Sequence, residues 1–397
     1  MKTQPAVSGN NTHKAKRPIG DPVEAPKPHH RFTPVPGKFK KPDHFVRRLD
    51  EVLSKQAMNS IAKAKQLVFH MVGDTGGING QETQEAISHQ MEKQYSPVQN
   101  DPNNPAFYYN LGDVVYYNGI STHYEEQFYD PYKQYPSYIF AIPGNHDCDT
   151  QTRKNDEPDT ELSLEGFMIN FCDQTPRYGP YSSYRKTLNQ PWPYWVLDAP
   201  FATIIGLFSN VDGSLDAHGS TEQADWLVKQ LKSAAKDKCL ILTVHHPCFS
   251  LDTSHGGYPL ILTDLDNAFK KANRFPDAVF SGHVHNYQRF TRTVKNRKIP
   301  YIVAGAGGYV NKPGSMHRLQ RDNNGDFIKV PFPTLHKDLS LIYYNQVSPG
   351  FLKIAVDKQF IHGTYHTVNF DGSKPPTVPD DEFKFDWKQN KVVALVN

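Results

Sequence analysis

Apolar and polar positions along this chain recur in short cycles: an apolar run, a glycine-bearing polar turn, then a stretch of helical spacing. The runs cover Leu67 to Val72, Phe107 to Leu111, Tyr138 to Ile142, Trp195 to Phe208 with a break at Pro200, Cys239 to Val244, Ala278 to Phe280 and Tyr301 to Ala304. Runs of that length bounded by turn residues predict buried strands, and strands alternating with helices predict an α/β layered fold. One helix is well signalled, because Ser220 and Gln223 have capping-box spacing ahead of Ala224, Trp226, Leu227 and Leu231. After Gly308 the texture changes to a polar loop region, NKPGSMHRLQRDNNGD, followed by Phe351 to Val356, Phe360 to Val368 and Phe383 to Trp387, which predict closing antiparallel strands. At the other end, Met1 to Pro42 is rich in Pro, Lys, His and Asn and cannot bury enough apolar surface to offset ordering entropy, so a mobile arm is expected. Asp43 then offers an N-cap, and Phe45, Val46, Leu49, Val52 and Leu53 repeat at helical spacing. The organisation expected is an arm over 1–42, a helix over 43–64, a core domain over 65–310, and a loop region with strands over 311–397 that completes the domain.

Charge adds one asymmetry. The net charge is only +3, but Met1 to Arg48 holds eleven Lys and Arg against three acids, which gives +8 there and leaves about −5 for the rest. Nucleic acid is disfavoured as a partner, since the arm lacks a series of aromatic residues spaced as stacking platforms, and Asp156, Glu157, Asp159, Glu161 and Glu165 make an acidic region after Asp149. Four cysteines without Cys-x-x-Cys spacing are read as free thiols. No apolar run approaches the roughly 20 residues of a membrane span, and the first residues lack a secretory apolar stretch. The expectation is a soluble cytoplasmic protein with no membrane partner; a secreted protein whose leader has been removed is the alternative. Oligomeric state is left open.

The candidate chemistry sits directly after the apolar runs, where open α/β sheets hold their ligands. The first run ends in GDTGG with Asp74, the second in GDVVY with Asp113 and Tyr116, and the third in PGNHD with Asn145, His146 and Asp147. TVHHP then brings His245 and His246, and SGHVH brings His283 and His285. A glycine-aspartate pair after one strand is usually only a turn, and a lone histidine is usually structural. Together, carboxylate, phenolate, amide and imidazole make a donor set suited to iron, manganese or zinc, and the absence of thiolates argues against a structural zinc site.

The order GDxG, GDxxY, GNH plus an acidic residue, a histidine after a strand, then GHxH resembles the five-block pattern of purple acid phosphatases, a branch of the calcineurin-like metallophosphoesterases. The last block, GHVHNYQR, and the following YIVAGAGG strengthen the resemblance, which runs from about Gln66 to Gly308. Most relatives in the wider superfamily carry Asp-x-His in the first block; here that third position is Gly76, while Tyr116 supplies the phenolate that this branch uses instead. The resemblance implies a metallophosphoesterase β-sandwich flanked by helices and two metal ions per chain. One would be held by Asp74, Tyr116, His285 and a bridging Asp113, the other by Asp113, Asn145, His245 and His283. His245 is preferred to His246 because the family reads His-x-Pro. Asn145, His146 and His255 would contact substrate, with His146, His255 and Asp113 counted as catalytic. His70, His89 and His123 are read as structural or surface residues.

What the resemblance implies for mechanism is in-line attack on a phosphate ester by a hydroxide formed between cations ~3.5 to 4 Å apart. The metals expected are Fe(III) with Zn(II), Mn(II) or Fe(II), a manganese pair being the alternative, and the substrate is a small phosphorylated compound, most simply a phosphomonoester. Two rivals remain at this point: a phosphodiesterase or nuclease on the same site, and a metal- or phosphate-binding protein without catalysis.

Overall fold

The computed structural model describes residues 32–98, 101–150, 161–310, 315–322, 324–370 and 373–395. Residues 1–31 of the basic arm and 151–160 of the acidic stretch lie outside them. In chain order the strands are β1 (Val46–Arg48), β2 (Leu67–Val72), β3 (Phe107–Asn110), β4 (Tyr138–Ala141), β5 (Trp195–Asp198), β6 (Ala202–Leu207), β7 (Cys239–Val244), β8 (Ala278–Ser281), β9 (Tyr287–Val294), β10 (Arg297–Ala304), β11 (Phe332–Pro333), β12 (Leu339–Asn345), β13 (Gly350–Val356), β14 (Phe360–Thr367), β15 (Asp381–Asp386) and β16 (Lys391–Val393). The α-helices are α1 (Lys55–Ala64), α2 (Glu82–Glu92), α3 (Asn145–Cys148), α4 (Glu165–Phe171), α5 (Glu222–Ser233) and α6 (Pro259–Ala272).

Among the described residues these strands form two sheets, ordered β1-β5-β6-β7-β8-β10-β9-β12-β11 and β16-β15-β14-β13-β2-β3-β4. One apolar cluster takes Leu67, Phe69, Met71, Phe107, Tyr109 and Ile354 from the second sheet and Ile204, Ile241, Phe280 and Ile302 from the first, so the sheets pack face to face. The alternate residues, among them Val72, Tyr108, Leu240, Leu242 and Val279, belong to a second cluster with the helices. Strands buried on both faces read as continuous apolar runs, which is why the pattern of β2 and β7 was so plain. The three closing strands predicted near the C-terminus are β13, β14 and β15, and β13 pairs with β2.

Two local expectations are corrected. The helix expected to start at Asp43 begins only at Ser54, whose hydroxyl caps the Ala57 N–H at 3.2 Å, and β1 runs parallel to β5 in its place. Phe45 packs on Tyr194 and Trp226 in the helix-side cluster, whereas Leu49 is buried between the sheets, so one helical stripe could not serve both. The capping box of α5 is not made either. Asp216 accepts from the Gln223 and Ala224 N–H groups at 2.8 and 3.0 Å, while the Gln223 side chain ties Phe208 and Leu215. The described end of the arm, 32–42, lies against the domain: Thr33 exchanges hydrogen bonds with Asn210, Pro36 is buried, and Lys38 pairs with Glu165.

All four cysteines are free, and among the described residues no helix is long and apolar enough to cross a membrane. The motif residues beyond the last site histidine hold the two sheets together. Tyr287 and Arg289 reach Asp381 of β15 at 2.8 and 2.7 Å, while Asn286 and Gln288, on the opposite face, hold Asp252 and Leu251. Period-two alternation along one strand thereby serves two neighbours.

Removing the Arg289 guanidinium would leave the buried Asp381 carboxylate without its cation and with only the Tyr287 hydroxyl beside it, so Arg289→Ala is expected to cost about 3 to 5 kcal/mol in urea unfolding. A second expectation concerns His70, buried on β2 between Tyr135 and Gln94, where burial pushes its imidazole down to about 3. The folded state keeps it neutral while the unfolded chain binds a proton below about 6.5, so its contribution is full above that pH and is lost as pH falls toward 3. Between those limits His70→Gln should reduce the slope of stability against pH by up to about 1.4 kcal/mol per pH unit, and parallel slopes would refute the assignment.

Candidate metal centre

The carboxyl ends of β2, β3 and β4 from one sheet and of β7 and β8 from the other meet in a single seam. Asp74, Asp113 and His283 turn there with positive φ of 59°, 52° and 68°, a region where non-glycine residues are uncommon and strain collects at functional sites. Gly112, at φ 98°, cannot carry a side chain, because a Cβ would lie 2.6 Å from His245 Nδ1 and 2.7 Å from the Gly144 amide nitrogen. Asp147 pins the loops together by accepting from the Gly144, Val114 and Val115 amides at 2.8, 3.0 and 3.2 Å. Burial, with the Asp113 charge behind it, pushes the Asp147 carboxyl up to about 7.

The seven donors named from sequence converge. Tyr116 Oη lies 3.2 Å from Asp74 Oδ1 and 3.3 Å from His285 Nε2, and His285 Nε2 is 3.4 Å from the same carboxylate oxygen. Asn145 Oδ1 faces His245 Nε2 at 3.1 Å and His283 Nδ1 at 2.9 Å, and His245 Nε2 stands 3.3 Å from Asp113 Oδ2. Ligand atoms of Asp113, His245 and His283 all lie within 4.8 Å of one another. Two of the three remaining ring nitrogens are held from outside, His245 Nδ1 by the Leu111 carbonyl at 2.9 Å and His283 Nε2 by the Tyr258 hydroxyl at 2.8 Å, while His285 Nδ1 is buried without a hydrogen-bond partner among the described residues. Such outer bonds fix tautomer and ring orientation. His246 Nδ1 meets Ser209 Oγ at 2.8 Å, and its ring lies 4.4 Å from that of His283.

The electrostatics ask for positive charge. Burial pushes the Asp74 carboxyl well above its usual range, and Asp113 adds to the effect. Asp113 is just as buried, but the His245 and His146 imidazoles outweigh burial and hold it below the ordinary range. Burial would lower His245, yet the Asp113 charge leaves it raised to about 9, whereas burial takes His285 down to about 3. Two carboxylates and a buried phenol around one point, with only the raised His245 imidazole as compensating charge, leave the buried set short of positive charge unless cations balance it. The donor set therefore fits the metals that the resemblance implies.

His146 borders this set. Its N–H donates to Asp113 Oδ1 at 2.9 Å, its Nδ1 meets the Tyr117 carbonyl at 2.7 Å, and its ring lies 4.5 Å from Tyr116. His255 stands at the rim, its ring centre 4.7 Å from that of His283. Sequence reasoning missed Tyr258, Tyr309 (stacked on Tyr116 at 3.9 Å) and His317 (stacked on His285 at 4.3 Å), which lie in loops without periodicity. The YIVAGAGG stretch, which runs straight into Tyr309, was the one available signal.

Comparison with known proteins agrees with this geometry. The family model of calcineurin-like phosphoesterases matches residues 67–287. Purple acid phosphatase 21 of Arabidopsis thaliana is 29% identical over 174 residues, which cover 42% of this chain and 36% of the relative. The purple acid phosphatase PPD1 from yellow lupin seeds superposes with a TM-score of 0.56 at 18% identity, over 81% of this chain and 54% of its own. GAP50, the anchor in the inner membrane complex of Plasmodium, does so with a TM-score of 0.53 at 15% identity, over 81% of this chain and 89% of its own. The chain thus spans about a third of the curated relative and about half of the lupin protein.

Gly76 itself is sterically required, because a Cβ there would stand 2.5 Å from Gln127 Oε1 and 2.9 Å from both Tyr116 Cδ2 and the Val115 Cα. Gly76→Ala is expected to lower stability by about 1 to 3 kcal/mol through overpacking, and an unchanged unfolding midpoint would show that the tyrosine has room to move.

Proposed function

Because the chain belongs to the calcineurin-like phosphoesterases, we propose that it hydrolyses phosphate monoesters at a dinuclear metal centre. The observation that carries the reading is the convergence of seven non-thiolate donors around the buried Asp74 and Asp113 carboxylates. Asp74, Tyr116, His285 and Asp113 would hold one cation, and Asp113, Asn145, His245 and His283 the other. Fe(III) with Zn(II), Mn(II) or Fe(II) suits this mixture of phenolate, carboxylate and imidazole. When bound, such a pair supplies water acidified to a pKa near ~7 and charge neutralisation at phosphoryl oxygens.

The chain's own residues then have distinct tasks. Asp113 is shared between the two donor groups, so its loss would disturb both. Its Oδ1 is already fixed by the His146 N–H. With Nδ1 committed to the Tyr117 carbonyl, His146 keeps Nε2 for substrate, and His255 offers a second imidazole from the rim. Asn145, His146 and His255 are therefore the groups to bind phosphoryl oxygens, and either imidazole can pass a proton to the leaving oxygen. An acidified water of that kind would let displacement proceed in a single step without a covalent enzyme intermediate. The pairing of Gly76 with Tyr116, which the sequence shares with purple acid phosphatases, favours monoesters over the diester reading.

Asp113→Asn is expected to reduce turnover of a chromogenic monoester to background, and a variant retaining most of its rate would sink the shared-carboxylate arrangement. Faster hydrolysis of the matching diester by wild-type protein would overturn the monoester assignment. In iron-loaded protein Tyr116→Phe should abolish the visible phenolate-to-iron absorption band; an unchanged band would place the phenolate elsewhere.

A further inference from the structure

We propose that His317 is a third imidazole contacting the phosphoryl group, and that it sets how tightly the ester and its phosphate product are held; this rests on the reading of the site as a phosphoesterase centre. The residue lies in the polar segment after Gly308, where the sequence offers neither periodicity nor a motif. In the fold its ring stacks on His285 at 4.3 Å and 29°, and stands 5.0 Å from the ring of His255. His255 in turn is 4.7 Å from His283. His317 thus borders His285 of one donor group and His255, already read as substrate-binding, and its Nδ1 stands 3.7 Å from Asp252 Oδ1, which sets the ring at the rim where the phosphoryl group would be held.

The segment that carries it is built into the domain. The His317 N–H donates to the His285 carbonyl at 3.1 Å, and the Arg318 carbonyl accepts from Thr253 N and Oγ1 at 2.9 and 3.0 Å. Leu319 N donates to Gln346 Oε1 at 2.7 Å, and Gln320 N to the Leu251 carbonyl at 2.8 Å. The fully buried Asp252 ties the two rim histidines to one frame. Its Oδ1 accepts from the Ser254 and His255 amides at 2.7 Å each, and Asn286 Nδ2 bridges Asp252 Oδ2 at 3.2 Å and the His317 carbonyl at 3.3 Å. Backbone bonding of this density holds the ring in place before substrate arrives, which limits the ordering entropy lost on binding. A hydrogen bond from an imidazole N–H to a phosphate oxygen is charge-assisted and so among the stronger kinds.

The test uses metal-loaded full-length wild type, His317→Ala and His317→Gln, with metal content per chain, calorimetric binding of inorganic phosphate, and KM and kcat for a chromogenic monoester. His317→Ala is expected to raise both the phosphate Kd and KM about ten-fold with metal content unchanged, and the amide of His317→Gln to recover part of the loss. A phosphate Kd within about two-fold of wild type would overturn the proposal. Loss of metal in His317→Ala would also overturn it, since the residue would then act only by supporting His285. Wild-type protein that binds phosphate but hydrolyses no ester would defeat the hydrolase reading alone, leaving the contact to be judged on Kd.

Discussion

Asp74 and Asp113 are fully or almost fully buried at neighbouring strand ends, with a buried phenol between the first of them and His285. Taking charges out of water costs several kcal/mol per ion even after the surroundings relax. A fold that places two carboxylates there must supply compensating charge or hold protons on them. The divergent behaviour of the pair, Asp74 pushed up and Asp113 held down, is that conflict expressed within the chain. Cations resolve it for both at once. Neutral imidazoles at His283 and His285 meet the same requirement, because a protonated ring cannot be a ligand.

This constraint explains why the seam between the sheets is so heavily specified. The left-handed turns at Asp74, Asp113 and His283, the forced glycine at 112 and the triple acceptor Asp147 contribute little to ordinary packing. Each fixes the direction of a polar group at the end of a strand. Apolar contacts between the sheets supply the rigidity, and Leu111, Phe280 and Tyr287, two or three positions from site residues, belong to that same buried cluster.

The parts of the molecule legible in the sequence were those governed by short-range rules. Strands such as β2 and β7 are buried on both sides, so their apolar runs mark them without knowledge of their partners. The seven donors were legible because each directly follows such a strand or its turn. What escaped notice depended on partners remote in sequence. Residues 45–53 satisfy a helical period, but Phe45 and Leu49 serve opposite clusters, which only the completed sheets define. Gln223 has the spacing of a capping residue, yet the helix is capped from Asp216. His317 lies in a stretch whose order comes from bonds to Leu251, Thr253 and His285, none of which leaves a local trace.

The pairing of β13 with β2 has a consequence for how the chain comes to be folded. β2 carries Asp74 at its end and lies between β3 and β13, with Met71 opposite Leu352 and Phe69 opposite Ile354. Contacts between positions so far apart close a very large loop, and loop closure must precede the reward of burial. During synthesis Asp74 emerges well before β13, so the sheet that frames it stays open on one side until the chain beyond the last site histidine has been made. One edge of β2 therefore stays unpaired over that interval, and β13, which follows every ligand in sequence, closes the sheet around them.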